Sequence, residues 1–167
     1  MTSTFNRLTA AAVAIGVGAA VAAGGAFAHD DKMPANASAA TKTAYVRHEN
    51  FERLGAAFKS LNDELRKGSP DKAVVARSAA TMNQLVTALP TWFPRGSGVE
   101  ARPMSEAKAN IWTDAAGFTA AATASRTEIG KLNAAAASGD INAVKAAVRP
   151  VGGSCKACHD KYRQQKS

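Results

Sequence analysis

The chain has 167 residues, with 21 Lys and Arg against 13 Asp and Glu and a formal net charge of +8. Its basic residues are scattered singly and not gathered in a run with interleaved aromatics; this excludes the pattern of a nucleic-acid binder and leaves attraction to acidic partners or surfaces. Only two cysteines occur, Cys155 and Cys158, so no third thiol competes for a disulfide with either.

The first 28 residues read as a signal peptide and not as part of the fold. Arg7 is their only charge, an Ala/Gly/Val-rich run follows, and Ala26-Phe27-Ala28 fits a small-x-small cleavage site. An uncleaved anchor is the alternative, but a spanning helix needs ~20 strongly apolar residues and this run is mostly Ala and Gly. Cleavage after Ala28 leaves one domain, residues 29–167, of 139 residues and net charge +7, with no membrane association once the leader is removed. That length is enough for a real core. The expected address is the periplasm.

Residues 29–38 are small, polar and interrupted by Pro34, and read as a leader to the fold. Over residues 39–67, Ala44, Arg47, Phe51, Leu54, Phe58, Leu61 and Leu65 recur at intervals of three and four, the seam of a first helix, which Gly68-Ser69-Pro70 should end. Pro70 suits the first turn of a second helix over 70–88, with Val75, Ala79, Met82, Val86 and Leu89 on its seam. A connection rich in Pro and Gly runs from about 90 to 105. Loops of that length are uncommon in compact domains, and Trp92, Phe93 and Trp112 have little reason to lie in solvent.

A third helix is expected over 114–138, with Asp114 at its start, Gly139 at its end and Phe118, Ala121, Ser125, Ile129, Leu132 and Ala136 inward. Asp140 then caps a fourth, in which Ile141, Val144, Val148, Val151, Cys155, Cys158 and Tyr162 form the seam. Pro150 falls inside it; an interior proline costs about 3 kcal/mol, and a kink one turn before Cys155 is expected. Four helices with mostly short connections and no strand pattern give an all-α, antiparallel four-helix bundle.

The centre of the last helix is Cys155-Lys156-Ala157-Cys158-His159, the C-x-x-C-H spacing of covalent c-type haem attachment. On a helix, residues three and four apart share a face. Both thiols can therefore add to the two vinyl groups of one haem, and His159 can reach the iron. A redox C-x-x-C would start a helix after a strand, and no strand pattern precedes this one. A structural zinc site needs four ligands, and only His29 and His48 remain. The bundle thus carries a C-terminal covalent haem site, one haem c per chain.

The sequence resembles the cytochrome c′ family over nearly the whole mature chain. The likeness is carried by the attachment motif, Tyr45-Val46-Arg47 with Phe51, Ala88-Leu89-Pro90 with Phe93, Ile111-Trp112 with Asp114, and Ala137-Ser138-Gly139-Asp140. It implies a homodimeric bundle with His159 as the only protein ligand to iron, Cys155 and Cys158 as thioether anchors and Arg163 beside the proximal pocket. It also implies Phe51 over the distal face and Arg47 on a haem propionate. Independently, Arg47 occupies a seam position where a charge requires a partner. Pro150 and the long segment 101–110 depart from the family pattern.

Low-spin relatives carry Met at the position of Phe51. Phe has no donor atom, so the iron is expected to be five-coordinate and high-spin, with Met82, Met104 and His48 as the other possible sixth ligands. The expected function is electron transfer, binding of small gases such as nitric oxide and carbon monoxide, or both, without substrate catalysis and with an unknown redox partner protein. The alternatives are a low-spin six-coordinate electron carrier of the same fold, or a haem enzyme acting on peroxide or consuming nitric oxide. Peroxide cleavage, however, wants a distal acid–base group.

Overall fold

The computed structural model describes residues 32–165; the expected signal peptide and its cleavage site lie outside them. α1 spans Ala39–Leu65, and its first turn is capped by the Ser38 hydroxyl, which accepts from the Thr41 N–H. α2 spans Lys72–Ala88. It starts two residues later than Pro70 because the Asp71 carboxylate accepts from the N–H groups of both Ala73 and Val74, fixing Asp71 as the cap. Gly68 does not take the left-handed conformation of a glycine cap. α1 ends instead at Arg66, with an ordinary helical φ of −80°.

A 3-10 turn, Leu89–Trp92, leads into the long connection. The short α3, Asn110–Thr113, then precedes α4, Ala115–Ser138. Asp114 caps α4 through the Gly117 N–H, and Gly139 closes it at φ 73°, a left-handed conformation that a side chain would strain. α5, Ile141–Tyr162, starts at the Asp140 cap. α5 is continuous through Pro150. Pro150 and Ala146, whose carbonyl loses its helical donor, are both exposed, so water can take the place of the missing N–H.

The four long helices pack in chain order, α1 on α2, α2 on α4 and α4 on α5, whereas α1 and α5 scarcely touch. The core lies where the seams meet: Leu61, Val75, Met82, Ile129, Leu132, Val144 and Val151 are almost wholly buried. Burying each such side chain contributes roughly 1.5–3 kcal/mol. On α4 Ala122 and Ala136 are buried, with Ala121, expected inward, half-buried beside Ala122. The half-buried Phe51, Leu54 and Phe58 of α1 and Cys155 and Cys158 of α5 pack on the rim of this core.

The sequence pattern does not predict the buried carboxylate of Glu64, near the end of α1. It accepts from the Asp71 N–H and the Lys67 ammonium, each at 2.6 Å, and so ties the α1–α2 turn to the cap of α2. The Lys67 contact and then the Asp71 N–H hold its pKa below the usual carboxylate range.

Candidate functional site

The chemistry-bearing residues lie in the last two turns of α5. Cys155 and Cys158, one turn apart, are half-buried against the core, and burial pushes both thiols above their ordinary pKa. His159 is half-buried beside them. Its imidazole is held below its ordinary pKa, first by burial and then by the Arg163 guanidinium, so at neutral pH the ring is available as an uncharged nitrogen donor.

Across from α5, Phe51 of α1 presents its ring to His159, with centroids 6.5 Å apart and planes inclined by 70°. Phe51 in turn meets Trp92 at 5.3 Å and Phe93 at 6.2 Å, both edge-on. Phe93 meets Phe118 at 4.8 Å, and Phe118 meets Tyr162 at 5.3 Å. Edge-to-face pairs of this kind contribute about 0.5–1.5 kcal/mol each beyond their buried area. The wall facing His159 is therefore hydrocarbon, built from α1 and the connection after α2.

Arg47, one turn before Phe51, is 4% exposed. Its Nη1 donates to the Trp92 carbonyl and the Ser97 hydroxyl, and its Nη2 donates to the Ser97 carbonyl and the Ser105 hydroxyl. The guanidinium also stacks on Phe93, 4.7 Å from the ring centroid. The partner that its seam position requires is thus supplied by the long connection, and of its N–H donors only Nε–H has no part in these bonds. Burial, then the charge of Arg102, push its pKa down to about 10, which leaves it charged at neutral pH.

Arg163 closes α5 next to the site. Its Nε and Nη2 both reach a single Glu106 oxygen at 2.5 Å, and its backbone N–H donates to the His159 carbonyl. Glu106 belongs to the same connection, which runs antiparallel to the end of α5. The Lys108 N–H donates to the Tyr162 carbonyl, and the Gln164 N–H to the Glu106 carbonyl. Below this, Asp114 accepts from the Tyr162 hydroxyl at 2.8 Å and pairs with Lys161 at 2.7 Å.

The structure therefore brings Phe51, His159, Cys155, Cys158 and Arg163 to one end of the bundle, with Arg47 holding the connection beside them. The other candidate iron ligands stand apart. Met82 is buried in the α2 core, Met104 is 51% exposed in the connection, and His48 is exposed and 3.3 Å from Glu52. Sequence reasoning did not find Ser97 and Ser105, the acceptors for Arg47. Small residues in a loop carry no periodic signal, and their role depends on a contact made 50 and 58 residues away.

The donor set fits a covalently attached haem. Two thiols one turn apart and an adjacent imidazole face a rim of half-buried apolar groups, on the edge where two helices are not packed together. Among the described residues no group of three or more His, Cys, Asp or Glu side chains is arranged to hold a metal ion by itself. Two surface cavities of about 270 and 170 Å³ are both bordered by Arg95 and Trp112, and neither is lined by Cys155 or Cys158.

Comparison with known proteins points the same way. The family profile Cytochrome C′ matches residues 42–163. Cytochrome c′ of Rubrivivax gelatinosus is 41% identical over 99 residues, which is 57% of this chain and 72% of that protein. Two solved structures from Alcaligenes xylosoxidans superpose closely. A nitric oxide complex of a cytochrome c′ mutant has a TM-score of 0.68 at 30% identity, covering 76% of this chain and 97% of its own. A carbon monoxide-bound variant has a TM-score of 0.69 at 28% identity, covering 77% and 99%.

Proposed function

Because the chain belongs to the cytochrome c′ family, whose members carry covalently bound haem c, we propose that it is a periplasmic haem protein that binds small uncharged gases and passes electrons, without substrate catalysis. Cys155 and Cys158 form the thioethers and His159 is the sole protein ligand to iron. The haem supplies a redox centre and a gas-binding position. The chain's own contribution is to anchor it, set one axial ligand and control access to the other face.

The observation that carries this reading is the placement of Phe51 opposite His159. A ring with no donor atom faces His159, and Trp92 and Phe93 pack against it. Met82 is buried in the core and Met104 and His48 are exposed, which supports five-coordinate, high-spin iron over the six-coordinate carrier. The same hydrocarbon wall offers no acid–base group for peroxide cleavage. The nitric oxide and carbon monoxide complexes of the relatives support these two gases as ligands.

Arg163 bears on His159 electrostatically from the proximal side. Arg47 can offer a propionate its Nε–H while its other donors hold the connection. No described helix is long and apolar enough to cross a membrane. The family likeness supports a homodimer and an as yet unidentified redox partner.

The test is substitution of the anchors. Cys155→Ser and Cys158→Ser should each weaken or abolish retention of haem through acid–acetone extraction, and His159→Ala should keep the haem tethered while changing the iron spectrum. Wild-type haem retention and spectrum in all three variants would overturn the proposal.

A further inference from the structure

α1 and α5, the two helices that carry Phe51 and His159, each contain an interior glycine on the face of that residue. Gly55 lies four residues after Phe51, one turn on, and Gly152 seven before His159, two turns back, so each shares its partner's helical face. A glycine inside a helix costs roughly 0.8–1 kcal/mol relative to alanine. Neither backbone conformation nor packing within the chain accounts for either one.

Conformation is excluded because, among the described residues, only Gly96 and Gly139 have positive φ. Packing is excluded because a Cβ at Gly55 or Gly152 would meet no neighbouring heavy atom within 4 Å. Gly117 shows the contrast. There a Cβ would come within 2.5 Å of the Asp114 carboxylate and 2.6 Å of the Tyr162 hydroxyl, so a side chain fits only if these hydrogen-bonded groups move. Close helix approach is also no reason, since α1 and α5 scarcely touch.

We propose that Gly55 and Gly152 leave the facing edges of α1 and α5 bare so that the haem macrocycle can lie directly against both backbones. Gly152 sets the depth of the ring beside Cys155. The inference rests on haem attachment at Cys155 and Cys158 and adds two positioning residues outside the attachment motif. On this account a side chain at Gly152 displaces the ring from the line between Phe51 and His159, while one at Gly153, turned about 100° further round the helix and exposed, does not.

The experiment compares Gly152→Leu and Gly55→Leu with Gly153→Leu in the full-length, exported protein, reading haem content, Soret position and helical circular dichroism. Gly152→Leu should lose haem content or shift the Soret band, Gly55→Leu should do so more weakly, and Gly153→Leu should match wild type. Should Gly152→Leu lose helicity as well, Gly152→Ala serves in its place. It should retain the fold, gain helix stability and still shift the band. Wild-type haem content and band position in Gly152→Leu, or in Gly152→Ala where that variant stands in, would overturn the inference. If Cys155→Ser at the same time fails to hold haem covalently, the attachment reading survives that loss; if Cys155→Ser holds it normally, both fall.

Discussion

The imidazole of His159 and the phenyl ring of Phe51 face each other across the edge between α5 and α1, 6.5 Å apart and inclined by 70°. One ring can donate to iron and the other cannot. Phe51→Met places a thioether where the hydrocarbon was and should convert the ferric spectrum from high to low spin. Phe51→Ala removes an obstacle and should speed carbon monoxide binding by the ferrous protein, measured by stopped flow. An unchanged spectrum in the first variant together with unchanged rates in the second would move the distal assignment to another residue of α1.

Arg47 predicts a stability effect separate from any haem contact. Arg47→Ala strands the buried carbonyls of Trp92 and Ser97, while the Ser97 hydroxyl keeps its bond to the Pro94 carbonyl and the Ser105 hydroxyl still accepts from the Ala107 N–H; an unsatisfied buried polar group costs about 1–3 kcal/mol. A loss of at least about 2 kcal/mol is expected in urea unfolding, about 1 kcal/mol for each of the two freed carbonyls. Arg47→Lys should recover part of it, since one ammonium cannot reach acceptors spread along the connection. A loss below about 0.5 kcal/mol for Arg47→Ala, the range of an ordinary surface change, would show that the connection is held by other contacts.

Asp114 predicts acid sensitivity. The Lys161 ammonium first, then the Tyr162 hydroxyl and the Gly117 N–H, hold its folded pKa below the ordinary carboxylate value. The unfolded chain therefore binds the proton more tightly than the folded one. The stability that Asp114 contributes is full above the unfolded pKa of about 4 and is lost as pH falls through the folded value. Asp114→Asn should lower the thermal midpoint at pH 7 and reduce its fall on acidification; equal midpoint losses at pH 7 and at pH 3 would contradict the linkage.

The homodimer is tested by light scattering of the purified protein at micromolar concentration. A mass twice that of the chain is expected, and a mass equal to one chain would reject it.

The helical architecture was legible because it repeats. Intervals of three and four identified Val75, Ala79, Met82 and Val86 on α2 and Val144, Val151 and Tyr162 on α5 as inward residues, and all are buried. Asp140 and Gly139 were legible as caps because their side-chain chemistry and lack of a Cβ act within one turn. The attachment motif was equally local. What escaped is what depends on distant closure. The connection after α2 carries no period, so neither the grip of Arg47 on Ser97 and Ser105 nor the pairing of Ala107 with Arg163 could be read. Glu64 escaped for a related reason. An acidic residue near a helix end normally lies in solvent, and only the turn into α2 brings the Asp71 N–H to it. How α5 accommodates Pro150 also depends on which face the proline takes, and here it takes the exposed one.

The most direct test of the account is the visible absorption spectrum of the purified protein, ferric, ferrous and ferrous under carbon monoxide. One covalent haem held by Cys155 and Cys158, ligated by His159 and faced by Phe51, predicts high-spin ferric and five-coordinate ferrous spectra, with carbon monoxide adding as a sixth ligand. A low-spin, six-coordinate ferrous spectrum that carbon monoxide leaves unchanged would contradict it.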